Sequence, residues 1–338
     1  VRRLLPLHKA GPADRLGAAP GSESRDASTL HSRAASLAWN CIGRLPAGLL
    51  GASAPQLAML AAMSLASSLG RGQVAALYYA ERLLELPLGL VGVCLGMASL
   101  PTLSRLAAAR EFSLFSDQLR TALRLTLLLS LPAAAGLWAV GPRLVEGLLR
   151  HGAFGDNAAY ETGLALWAYL PGLPAFAVNR SLLAACNALG EVRRTAVSAV
   201  WAVVATLAVG GALVHSLSGS LGVMAPALAV SLGLWLQCGL LLCILGRALK
   251  KSSAGAASAS VCLPPAGAVL RQCAAAAATA LAAWQLLNQL DGRGIWLGLA
   301  LAIIGGATAW AFCLFVLRDA DALAAARALA HRLHGRPH

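Results

Sequence analysis

The chain has 338 residues, of which 58% are hydrophobic and only 12% charged, and its mean hydropathy is +0.69. Soluble domains carry about a quarter charged residues, so the composition excludes an ordinary soluble domain and points to a membrane protein. The net charge of +13 does not make it a nucleic-acid binder, because the basic residues sit in short clusters between apolar runs with few aromatics among them.

In chain order, residues 1–43 are rich in Arg, Ser, Gly and Pro and read as a basic cytoplasmic loop or tail, with a short interfacial helix around His31–Cys41. The opening at Val1 in place of Met leads to the expectation that the chain is a fragment, or that its first part is missing. The first membrane helix is expected over Leu45–Leu69, kinked at Pro55. The second, Gly72–Leu100, is about 43 Å long against a hydrocarbon core of ~30 Å, so it must tilt, kink at Pro87 or protrude. Pro101 is expected to close it, and residues 102–124 to form a basic amphipathic connector.

The third helix is expected at Leu119–Val140, followed by a short amphipathic helix and turn over 141–157, where Arg143, Arg150 and His151 read as a solvated interfacial segment. The fourth, Ala158–Ala188, is interrupted by Pro171 and Pro174. A fifth fills Ala196–Val214 and a sixth Leu221–Leu245. After a Ser/Ala/Gly/Pro-rich linker, with which Arg271 is counted, come Ala268–Leu290 and Ile295–Leu317, Ala- and Leu-rich and read as free of internal charge. The fold class is therefore all-α, a polytopic membrane bundle of about eight transmembrane helices.

The positions of the 27 Lys and Arg set the orientation. Alternating the loops puts 22 of them on the side of the N-terminal tail and four on the other, with Arg82 left over. Both termini are thereby placed in the cytoplasm. Arg180 lies near the cytoplasmic end of its helix, where it can snorkel to headgroups.

Arg82 is flanked by Glu81 and Glu85 within an apolar helix. A charge at membrane depth costs at least ~2.5 kcal/mol, so such residues face a partner or a water-filled cavity. Arg82 and Glu85, three apart, can simply pair on one helix face. The functional alternative is a cavity cation gripping an anionic ligand, for which the guanidinium fork suits phosphate oxygens. Gly92 and Gly96, with Gly89, form a smooth face for close helix contact. Cys94, Cys186, Cys238, Cys243 and Cys313 lie in apolar runs without a CxxC and read as inert small hydrophobes. His215 reads as a solvated loop residue. The sequence contains no phosphate-binding loop, dinucleotide fingerprint or metal-spaced Cys/His set, and no catalytic residue, metal ligand or cofactor is assigned.

The stretch LYYAERLLELPLGLVGVCLGMASLPTLSR (77–105) resembles the signature helix of the MurJ/MviN family of lipid II flippases, within the multidrug/oligosaccharidyl-lipid/polysaccharide exporter superfamily. Two further segments agree with it, LRLTLLLSLPAAAGLWAVGPRLVEGLLRHGAF (123–154) and ALWAYLPGLPAFAVNRSLLAACNALGEVRRT (165–195). The resemblance implies fourteen helices in two lobes, of which this chain holds the last eight and lacks the N-terminal lobe. It divides the chain into a tail (1–43), a six-helix transporter lobe (44–247), a cytoplasmic linker (248–267), a two-helix groove for a polyprenyl tail (268–317) and a basic tail (318–338). It implies a transporter, not an enzyme, moving lipid II across the bacterial cytoplasmic (inner) membrane for peptidoglycan synthesis. Its partners would be lipid II and membrane lipids, without nucleic acid or cofactor. It implies that Arg82 faces the lipid-linked pyrophosphate, that Glu85 and Glu81 neighbour it, and that Arg180 contacts the headgroup or interface. The sodium-binding polar residues of some members are absent here, with Ala62 on the first helix and no Asn or Asp within 196–214. Export of another polyprenyl-linked glycan, or a truncated non-transporting scaffold, are the alternative readings.

Overall fold

The computed structural model describes residues 48–49, 51, 53, 55–150, 152, 154–217, 219–252, 264–290 and 294–316, with backbone alone for 90–100 and 219–220. The expected tails at 1–43 and 318–338, the helix around His31–Cys41, most of the linker and the side chains of Gly92, Cys94 and Gly96 lie outside the described residues. Among the described residues nine α-helical segments follow in order, with a 3-10 turn at Gly219–Val223 before the seventh. They are α1 (Pro55–Ala66), α2 (Gln73–Ala108), α3 (Phe112–Leu149), α4 (Asp156–Tyr169), α5 (Gly172–Ala188), α6 (Val192–Ser216), α7 (Met224–Ser252), α8 (Ala266–Gln289) and α9 (Ile295–Val316). Among the described residues there is no strand.

Among the described residues five helices are long and apolar enough to cross a membrane: Phe112–Leu149, Val192–Ser216, Leu221–Lys251, Ala266–Gln289 and Ile295–Val316. The other three expected passes are α1, the charged α2, and the pair α4–α5 broken at Leu170–Pro171.

Two expectations are corrected. Pro101 does not end the second helix, which runs on to Ala108, about 54 Å in all. Pro101 forfeits one backbone bond, but Leu103 beyond it is fully buried in a cluster with Phe115, Leu119, Leu182 and Leu245. Tertiary burial outweighs the local penalty. Likewise the connector 102–124 and the amphipathic piece 141–149 are not separate elements, because α3 absorbs both flanks into one 38-residue helix. Only a tight turn separates α2 from α3. There Arg110 adopts φ 57° while the Glu111 N–H donates to the Leu106 carbonyl, a helix stop that normally selects glycine.

One helix, α6, is inside out relative to a helix of a soluble bundle. On α6, Val197, Val200, Trp201, Val204 and Leu207 are exposed at helical spacing, while Thr195, Ser198, Ala202 and Thr206 are buried. Small and polar residues at helix seams with large apolar ones outward suit a lipid surround. The break between α4 and α5 shows how polar groups are used. Pro171 has no N–H to give, and the carbonyls freed around it find partners on α7. Ser231 Oγ donates to the carbonyls of Ala168 (2.8 Å) and Tyr169 (3.3 Å), and Trp235 Nε1 donates to that of Pro171 (2.9 Å). Lower on the same seam, Asn179 Nδ2 donates to the Leu234 carbonyl at 3.0 Å.

Candidate functional site

The first half of α2 is apolar except for the run at Glu81, Arg82 and Glu85, and its two broad sides face different surroundings. On one side a cavity of about 350 Å³ is bounded by α1, α2 and α5; Glu81, Glu85, Arg180, Phe176 and Gln56 are among its lining residues. On the other side a larger, mostly apolar groove of about 520 Å³ runs between α2, α3, α8 and α9. Leu86 and Pro87 border it from α2, and Gly136, Leu137, Ile303 and Trp310 from the other helices. Successive helical residues are about 100° apart. Glu81, Leu84, Glu85 and Leu88 therefore share the cavity side, and Leu86 and Pro87 the groove side. Arg82 falls on the flank between them.

Arg82 Nη1 donates to Glu85 Oε2 at 2.6 Å, with both side chains about half exposed at 53% and 50%. Its guanidinium carbon also lies 4.9 Å from the centre of the Tyr78 ring, a cation–π arrangement. Tyr78 in turn meets Tyr79 edge to face, and Tyr79 meets Phe154. Across the cavity, Arg180 sits 4.9 Å from the centre of the Phe176 ring, one turn earlier on α5. The arrangement offers two guanidiniums, each on an aromatic face, and two carboxylates, of which Glu85 pairs with Arg82. Such a set can bind an anion only by sharing or displacing the carboxylates, which makes the grip adjustable.

The structure brings Glu81, Glu85 and Arg180 into one cavity. Arg82 joins through its ion pair with Glu85 and is not itself among the cavity's lining residues. The local ion pair expected of Arg82 and Glu85 is present. Arg180 is eight residues short of the end of α5, about 12 Å along the axis, and it faces the acids of α2. Sequence patterning does not single out Phe176 or Gln56. The spacing of Phe176 and Arg180, one turn apart, was the available signal. The helices expected at 268–317, α8 and α9, wall the apolar groove together with α3 and α2.

The sequence profile of the family described as Lipid II flippase MurJ matches residues 29–290. A probable lipid II flippase MurJ of Bdellovibrio bacteriovorus is 36% identical over 141 residues, 42% of this chain and 27% of that protein. The lipid II flippase MurJ of Burkholderia cenocepacia is 36% identical over 121 residues, 36% of this chain and 23% of that protein. Another, from Rhizobium tropici, is 33% identical over 26% of its length. The chain thus spans about a quarter of the length of these curated relatives. A solved structure, "Lipid II flippase MurJ, inward closed conformation", shares the fold with a TM-score of 0.63 at 21% identity, covering 80% of this chain and 52% of that one. With more than half its residues inside the family profile, the chain belongs to the MurJ lipid II flippase family.

Proposed function

We propose that this chain is the C-terminal, substrate-holding part of a lipid II flippase in the bacterial cytoplasmic membrane, with its basic loops and both termini on the cytoplasmic side. The observation that carries the reading is the back-to-back placement of a charged cavity and an apolar groove across one helix, with Arg82 on the flank between them. A polyprenyl-pyrophosphate glycan has that same division, a doubly charged junction between a polar head and a long apolar tail. Arg82 and Arg180 hold the pyrophosphate, Glu85 and Glu81 keep the guanidiniums oriented when it is absent, and the tail lies in the groove. No bond is made or broken, so the work is binding and release as the cavity changes access.

The test is headgroup competition. The purified chain in lipid nanodiscs is titrated with fluorescent lipid II, then challenged with unlabelled lipid II and with a polyprenyl pyrophosphate carrying an unrelated oligosaccharide. Selective displacement by lipid II supports the proposal. Equal or better displacement by the other glycan moves the reading to an exporter of that class, and no binding of any polyprenyl pyrophosphate leaves the non-transporting scaffold.

A further inference from the structure

A second cleft, lined by charged, aromatic and apolar residues, lies between the last turns of α3 and α4. It has a volume of about 410 Å³, and Glu146, Arg150, Asp156, Tyr160, Gly163 and Trp167 define it. Two of these residues form an ion pair, with Arg150 Nε 2.6 Å from Asp156 Oδ1. That pair engages Nε and leaves the terminal Nη groups of Arg150, whose side chain is 53% exposed. Glu146 sits one turn before Arg150 on α3 and is half-buried. Among the described residues it has no ion-pair partner.

The floor of the cleft is Gly163. It is a buried glycine in the middle of α4, where alanine would stabilise the helix by roughly 0.5–1 kcal/mol. Close packing does not require it, since a Cβ there would meet nothing within 4 Å. Gly172, by contrast, is fixed by Ser231 at 2.9 Å. The empty space in front of Gly163 is part of the cleft. The walls are amphipathic aromatics: Tyr160 is exposed, and Trp167 stacks on the exposed Trp138 at 6.1 Å and donates its indole N–H to the Trp138 carbonyl. Tyr and Trp with a polar tip mark the headgroup level of a bilayer.

We propose that this cleft binds the headgroup of a zwitterionic aminophospholipid of the phosphatidylethanolamine class. Glu146 accepts from the primary ammonium, which rests against the Tyr160 and Trp167 rings. The free Nη face of Arg150, one turn further on, takes the phosphate. A choline headgroup keeps its positive charge but has no N–H to donate to Glu146, so the site discriminates by hydrogen bonding. Because the cleft is separate from the α1–α2–α5 cavity, the proposal stands apart from the transport reading.

The test is native mass spectrometry of the full 338-residue chain released from mixed micelles with equal phosphatidylethanolamine and phosphatidylcholine of identical acyl chains, with and without excess free phosphoethanolamine. The wild type should retain the ethanolamine lipid several-fold over the choline lipid. Glu146→Gln, which keeps shape and removes charge, should bring the ratio to about one, and Gly163→Leu, which fills the floor, should do the same. Partial competition by free phosphoethanolamine assigns the selectivity to the headgroup. Equal retention of the two lipids by the wild type overturns the proposal. So does a preference that survives Glu146→Gln, whether or not the Gly163 variant folds.

Discussion

Gly172 begins α5 directly after the break that aims the α4–α5 pass, and its lack of a side chain is a packing requirement. A Cβ placed there would lie 2.8 Å from Ser231 Oγ and 2.9 Å from Ser231 Cα. The first contact could be relieved by turning the hydroxyl, but that would break its bonds to the Ala168 and Tyr169 carbonyls. The second is to backbone and can be relieved only by moving α5 from α7. Overpacking of this kind costs about 1–3 kcal/mol, and the lost interhelical hydrogen bond adds about 0.6 kcal/mol, the average in a membrane setting. Gly172→Ala should therefore destabilise the chain by roughly 2–3 kcal/mol in reversible unfolding from mixed micelles. Ser231→Ala alone should cost only about 0.6 kcal/mol. The double variant should recover only part of the loss, because the clash with the Ser231 Cα remains. Gly163→Ala is the matched control, expected to be stabilising by about 0.5–1 kcal/mol. If Gly172→Ala unfolds like the wild type, or is fully rescued by Ser231→Ala, the close-approach argument for the α5–α7 seam is wrong.

Arg110 holds a left-handed conformation that an L side chain adopts at a cost of about 1–2 kcal/mol. Arg110→Gly should raise stability by about 1 kcal/mol in the same unfolding assay. The groove has an exposed wall residue in Ala307. Ala307→Trp should exclude two or three methylenes of a bound tail, about 2 kcal/mol at ~0.8 kcal/mol each, and weaken binding of a full-length polyprenyl pyrophosphate about 30-fold. A short-chain analogue should bind as before, and the two isotherms compared by calorimetry decide it.

The helical character of the described residues was legible because apolar runs of twenty or so residues with basic clusters between them leave few other solutions in a bilayer. The charged triplet on α2 was legible for the same reason, standing out against Leu and Gly on every side. The ends of α2 and α3 were not. Pro101, Pro142 and the amphipathic flanks carry local signals for turns, and burial of Leu103 and Phe115 in a cluster drawn from distant helices overrides them. Arg180 was visible as a residue near a helix end, but that it faces Glu81 and Glu85 depends on how α5 crosses α2, which no local pattern encodes. Nor could spacing show that Gly163 opens a cleft while Gly172 closes a seam. The two glycines look alike in sequence and differ only in what stands opposite.

The central claim is that Arg82 and Arg180 together hold the pyrophosphate at the junction of cavity and groove. Its most direct test is the affinity of the purified chain in nanodiscs for lipid II, measured for the wild type, Arg82→Gln, Arg180→Gln and the double variant. Each hydrogen bond to a charged group is worth about 1.5–3 kcal/mol, so each single variant should bind about 10-fold weaker or worse. The double variant should fall further still, with circular dichroism unchanged throughout. Wild-type affinity in both single variants would contradict the account.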